Sequence, residues 1–248
     1  MASSARKILV LHGYSQNAYL LKDWFAPVQA ACTEDDIEFV FVDGPFALTQ
    51  EEIPSGLTPT PDLPFIVEAP KSLDDPALVP RAWCRSYPDI NDTTGLEISI
   101  EKFRDILRNN HYEGVLGFSQ GSYMAVILTA LLENPDVYPP FLVDGKAPHP
   151  PFKFCVAISG FLPKSPLFPA LFSTPLDTPT LHIQGRSDGI TSKEAKQTLV
   201  DVPSTNRKYL THQGGHVIPI EHGWLGLFRD FFRNPGADLV LPDDAALG

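Results

Sequence analysis

Short apolar runs alternate along the chain with longer patterns at helical spacing. Lys7–His12 (K-I-L-V-L-H) is a continuous apolar run bounded by Gly13, which predicts a short buried strand. A helical pattern follows, with Leu21, Trp24, Phe25 and Val28 on one face. Ile37–Val42 (I-E-F-V-F-V) predicts a second strand, closed by Asp43-Gly44-Pro45. Strand, helix, strand is the grammar of a parallel sheet. From Leu96 the pattern resumes. Ile100, Phe103, Ile106 and Leu107 recur at helical spacing as far as Asn109-Asn110, and 113–118 reads as a strand. Met124, Ala125, Ile127, Leu128, Leu131 and Leu132 then predict a helix apolar on most sides, ended by Asn134-Pro135. Further strands are predicted at 152–159, 180–184 and 207–211. Thr191-Ser192-Lys193-Glu194 has the capping-box pattern of a helix start. The final helix carries a core-facing stripe of Trp224, Leu227, Phe228, Phe231 and Phe232, Pro235 stops it, and the tail 236–248 is expected to fray.

Between Gly44 and Gly95 the periodicity dissolves. Pro54, Pro59, Pro61, Pro64, Pro70, Pro76 and Pro80 interrupt it, with acids between them. An irregular stretch of this length inside a domain reads as a lid or binding loop, with a disordered insertion as the alternative. Phe65, Ile66, Trp83 and Tyr87 argue for packing, and Arg81-Ala82-Trp83 is expected to return the chain to the body. The expectation is one α/β-hydrolase domain over 1–248. Its core lies at about 7–233, with a lid-like insertion at 44–95 and a tail at 236–248.

Composition narrows the function classes. The 248 residues are 43% hydrophobic and carry a net charge of −11, with no basic patch of the kind nucleic-acid binding needs. No apolar stretch reaches membrane-spanning length, and Met1 to Lys7 lacks a signal-peptide core, which favours a cytoplasmic protein. Cys32, Cys84 and Cys155 are widely spaced, which fits free thiols. Neither G-x-x-x-x-G-K-[ST] nor H-E-x-x-H occurs, so no cofactor or metal is expected.

The chemistry gathers around Gly117-Phe118-Ser119-Gln120-Gly121, a G-x-S-x-G between a predicted strand and a predicted helix. That context is a nucleophile elbow, with the serine on a strained turn. In an open parallel sheet, functional groups collect past the carboxyl ends of the strands. Ser119, Asp188 and His216 all lie there, in the order Ser, Asp, His found in hydrolases of this architecture. A serine hydroxyl needs a neutral imidazole to take its proton, and an acid to fix that imidazole's tautomer. Asp177 competes with Asp188 but precedes its strand. His212 and His222 compete with His216, which Gly214-Gly215 sets on a tight loop. For the oxyanion hole, Gln120 N–H is one candidate donor and Tyr14 N–H the other, with Ser15 next. Because the donor is backbone, Gln120→Ala should change little through that route. Trp83 and Phe161 are candidate walls of an acyl pocket, with Phe65, Phe168 and Phe172 as further aromatics. The alternative for each is plain packing. His12 and His182 lie in or at the ends of apolar strands and read as core or supporting groups.

Together, L-H-G-Y-S-Q-N (Leu11–Asn17), R-A-W (Arg81–Trp83), G-F-S-Q-G (Gly117–Gly121), I-S-G-F (Ile158–Phe161), Q-G-R-S-D (Gln184–Asp188) and G-G-H-V-I-P (Gly214–Pro219) resemble the FSH-type family of serine hydrolases. These are α/β-hydrolases of fungi, related to the ovarian-tumour-suppressor-candidate esterases. The resemblance spans about 7–232. It implies cofactor-free hydrolysis of carboxylic esters or thioesters, with Ser119, Asp188 and His216 as the triad. Some fungal relatives release or edit polyketide chains as thioesterases, so a small-molecule or carrier-protein-bound acyl substrate is implied. One departure is that Gly189-Ile190 follows the acid where many relatives have a proline-containing turn. The architecture also resembles the acyl-protein thioesterase and carboxylesterase group, which shares G-F-S-Q-G. A hydrolase fold kept only as a binding module is the alternative class.

Overall fold

The computed structural model describes residues 5–53, 79–85 and 93–247. Along the chain come β1 (Arg6–Leu11), α1 (Ala18–Trp24), α2 (Ala26–Ala31), β2 (Ile37–Val42), β3 (Phe46–Ala47), β4 (Arg81–Ala82), α3 (Leu96–Asn109), β5 (Gly114–Phe118), α4 (Gln120–Glu133), β6 (Phe154–Ile158), α5 (Phe168–Leu171), β7 (Thr180–Gly185), α6 (Lys193–Val200), β8 (Arg207–His212), α7 (His222–Arg233) and β9 (Ala246–Leu247). Seven of the strands form one sheet in the order β2-β1-β5-β6-β7-β8-β9. It is parallel from β2 to β8, and β9 closes the edge antiparallel.

Strand side chains alternate between two apolar layers, as a sheet covered on both faces requires. Leu9, Leu11, Val115, Cys155 and Ala157 pack with Phe103, Met124, Ile127 and Leu131 of α3 and α4. Ile8, Val10, Leu116, Phe118, Val156 and Ile183 pack with Leu21 and Val28 of α1 and α2 and with the stripe of α7. In α7, Trp224, Leu227, Phe228, Phe231 and Phe232 are all buried. α4 is buried along almost its whole length, which explains why its sequence lacks a polar face.

The structure departs from the sequence reading in four places. The first helical pattern is two helices, α1 and α2, meeting at Phe25. Pro27 lacks an N–H and cannot continue an i→i−4 ladder, but it fits the first turn of a new helix. The N-cap of α6 is Ser192, whose Oγ accepts from Ala195 N–H at 3.1 Å, one residue beyond the start of the capping-box pattern. α5, a single turn, interrupts the loop after β6. The tail does not fray. β9 pairs with Leu210 and Thr211 of β8, and Asp244 Oδ1 accepts from Trp224 Nε1–H at 2.8 Å.

In the 44–95 region, β3 and β4 form a two-stranded ladder that brings Arg81 to Trp83 back against the body. Residues 54–78 and 86–92 of the expected lid, with Phe65, Ile66 and Tyr87, lie outside the described residues. No helix among the described residues is long and apolar enough to cross a membrane. Cys32, Cys84 and Cys155 are buried, and none of the three is in a disulfide among the described residues.

Candidate active site

The carboxyl ends of β1, β5, β7 and β8 carry the residues that meet. β5 ends at Phe118, and Ser119 turns the chain into α4 with φ 53° and ψ −117°, a region a non-glycine residue enters only when its surroundings force it. The flanking glycines are required by contact. A Cβ on Gly117 would lie 2.0 Å from Gly121 O, and one on Gly121 would lie 2.3 Å from Leu11 O. The turn therefore closes against the end of β1 at a distance only glycine allows.

His216 reaches the elbow from the loop after β8. Its Nε2 lies 2.9 Å from Ser119 Oγ, and its Nδ1 lies 2.9 Å from Asp188 Oδ2. The ring packs against Phe118 at a centroid distance of 5.2 Å. Nδ1 facing a carboxylate makes it the donor. That leaves Nε2 as the acceptor toward the serine hydroxyl. The base and acid loops are laced together: Arg186 N–H donates to His212 O at 2.8 Å and Ser187 N–H to Gly214 O at 3.1 Å.

Asp188 is fixed by its own turn. Oδ1 accepts from Ile190 N–H at 2.8 Å and Thr191 N–H at 3.1 Å, leaving Oδ2 for the imidazole. A proline at 190 would have no N–H to give, so Gly189-Ile190 is a working variant of this turn. Burial alone would raise the Asp188 carboxyl, but the His216 hydrogen bond, the charges of His216 and Lys196 and the Thr191 N–H together hold it below its ordinary value. It is a carboxylate at neutral pH.

The loop after β1 lies beside the nucleophile. A Cβ on Gly13 would sit 3.0 Å from Ser119 Cβ, so this loop passes close to the serine at Gly13. Ser15 takes φ 60°. Buried polar side chains hold this loop. Gln16 Oε1 accepts from Gly13 N–H at 2.9 Å. Asn17 caps α1 by accepting from Leu20 N–H at 2.9 Å. His12 Nε2 accepts from Gly44 N–H at 2.8 Å, so Nδ1 carries the proton and donates to Gly13 O at 2.7 Å. Burial lowers the His12 pKa to about 4, which keeps the imidazole neutral and this pair of bonds intact. Gln120 N–H opens α4 beside Ser119, where the helix N-terminus favours negative charge.

The amide side chain of Gln120 has a role that the sequence reading missed. Gln120 is fully buried. Its Oε1 accepts from Trp83 N–H at 2.7 Å and its Nε2 donates to Cys84 O at 2.8 Å, as a neighbouring strand would. Trp83 in turn donates Nε1–H to His12 O at 2.8 Å, stacks between His12 and Phe103, and accepts at its carbonyl from Ser99 Oγ. With no exposed surface, Trp83 anchors the loop after β1 from within the core. Phe161 is 4% exposed and meets Tyr123 edge-on at 5.5 Å. Phe168 and Phe172 pack on each other near it. Phe65 lies outside the described residues. The competitors fall elsewhere. Asp177 precedes β7 and accepts from Thr205 Oγ1, His222 begins α7, and His212 packs on Trp224. Among the described residues no group of His, Cys, Asp and Glu is placed to hold a metal.

A mostly parallel sheet between two helical layers, with a strained serine at the tip of β5 and an imidazole and carboxylate delivered from the ends of β8 and β7, defines an α/β-hydrolase fold. Solved structures agree on the fold: maize acyl-protein thioesterase 2 superposes with a TM-score of 0.56 at 17% identity, covering 95% of this chain and 96% of that one. The family model "Serine hydrolase (FSH1)" matches residues 1–226, and the chain belongs to that family. It is 28% identical to an uncharacterized hydrolase of Schizosaccharomyces pombe over 93% of its own length, and spans about half (51%) of that relative. It is 25% identical to the esterase OVCA2 of Danio rerio, over 94% of this chain and 99% of that one.

Proposed function

We propose that the protein is a serine hydrolase that cleaves carboxylic esters or thioesters through an acyl-enzyme on Ser119. The observation that carries this reading is the unbroken relay Ser119 Oγ–His216 Nε2, His216 Nδ1–Asp188 Oδ2, at 2.9 Å for each step, on a strained elbow. Membership of a serine hydrolase family and the name of the zebrafish relative support it.

In this mechanism His216 Nε2 takes the Ser119 proton as Oγ attacks the acyl carbonyl. Asp188 holds the Nδ1 proton and stabilises the imidazolium that forms. The developing oxyanion faces Gln120 N–H and Tyr14 N–H, and removal of one such donor typically costs about 3 kcal/mol of barrier. His216 then protonates the departing alcohol or thiol, and water activated by the same imidazole releases the acid. An acyl group of apolar character, on a small molecule or a carrier protein, is the substrate class the reading favours.

A fluorophosphonate probe tests the reaction type. Wild type should label and Ser119→Ala should not; labelling that is equal in the two, or absent from wild type, defeats the reading. A series of p-nitrophenyl esters of graded chain length, run beside acyl-thioesters, then separates alcohol from thiol leaving groups.

A further inference from the structure

One cation sits against the acid of the relay, and the mechanism above gives it no part. Lys196 projects from α6 toward the loop that follows β7, and its side chain is only 13% exposed. Its Nζ donates to Asp188 O at 3.0 Å and to Gly185 O at 3.4 Å, so one ammonium spans both ends of the turn that carries the acid. The same Nζ lies 3.7 Å from Asp188 Oδ2, the oxygen that also faces His216 Nδ1.

From this geometry we infer that Lys196 is a positioning residue for the hydrolytic relay, tethering the acid loop and setting its charge against the Asp188–His216 pair. The inference rests on the reading of Ser119, His216 and Asp188 as the relay. Two effects follow from one group. By tying Gly185 O to Asp188 O, Lys196 holds the carboxylate where Oδ2 meets the imidazole. By placing positive charge on that oxygen, it weakens the attraction between Asp188 and a protonated His216.

The other polar and charged groups around the pair do not duplicate this. From the elbow comes Ser119, a neutral hydroxyl, and from β5 the apolar ring of Phe118. From the acid loop comes Arg186, an exposed side chain whose Nη2 donates to Asp244 O at 2.6 Å. From the end of β8 comes His212. Its pKa is lowered by burial, and its Nδ1 accepts from Gly214 N–H at 3.2 Å. Lys193, at the start of α6, lines with Asp188 and Lys196 a small cavity of about 410 Å³, but makes no ion pair with the carboxylate within 4.0 Å among the described residues. Among the described residues, Lys196 is the lysine or arginine within 4.0 Å of the Asp188 carboxylate.

The test measures kcat/KM on an activated ester, and the second-order rate of fluorophosphonate labelling, from pH 4.5 to 9 in wild type, Lys196→Met, Lys196→Gln and Lys196→Arg, with thermal melting of each. Lys196→Met should move the midpoint of the acidic limb upward by about half a pH unit or more, as expected for loss of a nearby partly buried charge. It should also lower the alkaline plateau by about tenfold through loss of the loop tether. Lys196→Arg should restore the midpoint. Lys196→Gln removes the charge and offers a shorter amide donor in its place, so it should shift the midpoint with a smaller loss of plateau than Lys196→Met. It carries the test if Lys196→Met does not fold. A residue with a purely structural role would lower melting temperature and plateau and leave the midpoint in place; that result, or an arginine variant no different from the methionine one, overturns the inference. A wild type that neither hydrolyses nor labels would overturn the hydrolase reading and this inference together. A reactive wild type with unmoved midpoints overturns this inference alone.

Discussion

Gln120→Ala separates the two roles that meet at this residue. Its backbone N–H survives the substitution, so a role confined to the oxyanion hole predicts a near-silent variant. The side chain predicts otherwise. Gln120 is fully buried and pairs with Trp83 N–H at 2.7 Å and Cys84 O at 2.8 Å. Alanine leaves a donor and an acceptor in the interior with those bonds gone, and each such group costs roughly 1–3 kcal/mol. The expected loss is about 2–5 kcal/mol, or roughly 5–15 °C in melting temperature for a chain of this size. The damage should also reach the chemistry. Trp83 holds the His12 carbonyl, and the next residue, Gly13, lies against Ser119. Released from Gln120, the 83–84 segment no longer fixes that loop, and the labelling rate with a fluorophosphonate should fall at temperatures where the variant is still folded. Gln120→Glu is the control. A carboxylate can still accept from Trp83 N–H but cannot donate to Cys84 O, and it buries charge, so it should be no more stable than alanine. Urea and thermal unfolding beside the labelling assay decide the matter. A Gln120→Ala protein within about 0.5 kcal/mol of wild type would refute the bridging role.

Two further outcomes follow from the same geometry. Asp188→Asn preserves shape but offers an amide to His216 Nδ1, favouring the wrong tautomer; kcat should drop by roughly 10⁴ with melting temperature little changed, and a loss under tenfold would remove Asp188 from the relay. His12 and His182 are fully buried and burial lowers each to about 4, whereas an unfolded-chain histidine titrates near about 6.5. Between those values the unfolded chain binds more protons, so the stability they confer is complete above about pH 6.5 and is lost as pH falls toward 4, by roughly 3 kcal/mol for each. Urea unfolding at pH 7.5 and pH 5 should show about 4 kcal/mol less stability at the lower pH, and equal midpoints would contradict the burial of both rings.

Periodicity made most of the architecture legible before any coordinates. β2 coincides with the predicted run, the remaining major strands fall within about two residues of theirs, and the stripe of α7 is buried as its spacing required. Boundaries set by one hydrogen bond were less legible. Thr191 and Ser192 are both competent caps by type, and the path of the chain out of the Asp188 turn brings Ser192 Oγ, at 3.1 Å, to Ala195 N–H. The tail was expected to fray. Its docking depends on Asp244 meeting Trp224, Arg186 and the edge of β8, groups far apart in sequence.

The relay shows the same division. Residue types, their order and their places after successive strands are local properties, written in G-F-S-Q-G, Q-G-R-S-D and G-G-H. A nucleophile on a tight turn needs its glycines whatever surrounds it, so the elbow could be read directly. Distance is a different matter. That His216 reaches Ser119 and Asp188 together depends on how β5, β7 and β8 stack and how their loops interlace. The supporting shell was hidden for the same reason. Gln120, Trp83, His12 and Lys196 act through bonds spanning 8 to 71 positions, and no local pattern marks a glutamine as a strand's partner or a lysine as the tether of an acid loop. Sequence alone determined which chemistry the chain could perform, because reactive groups announce themselves by type and context. Tertiary structure decided which buried polar groups hold that chemistry in place, because hydrogen bonds are satisfied by proximity in space and not along the chain.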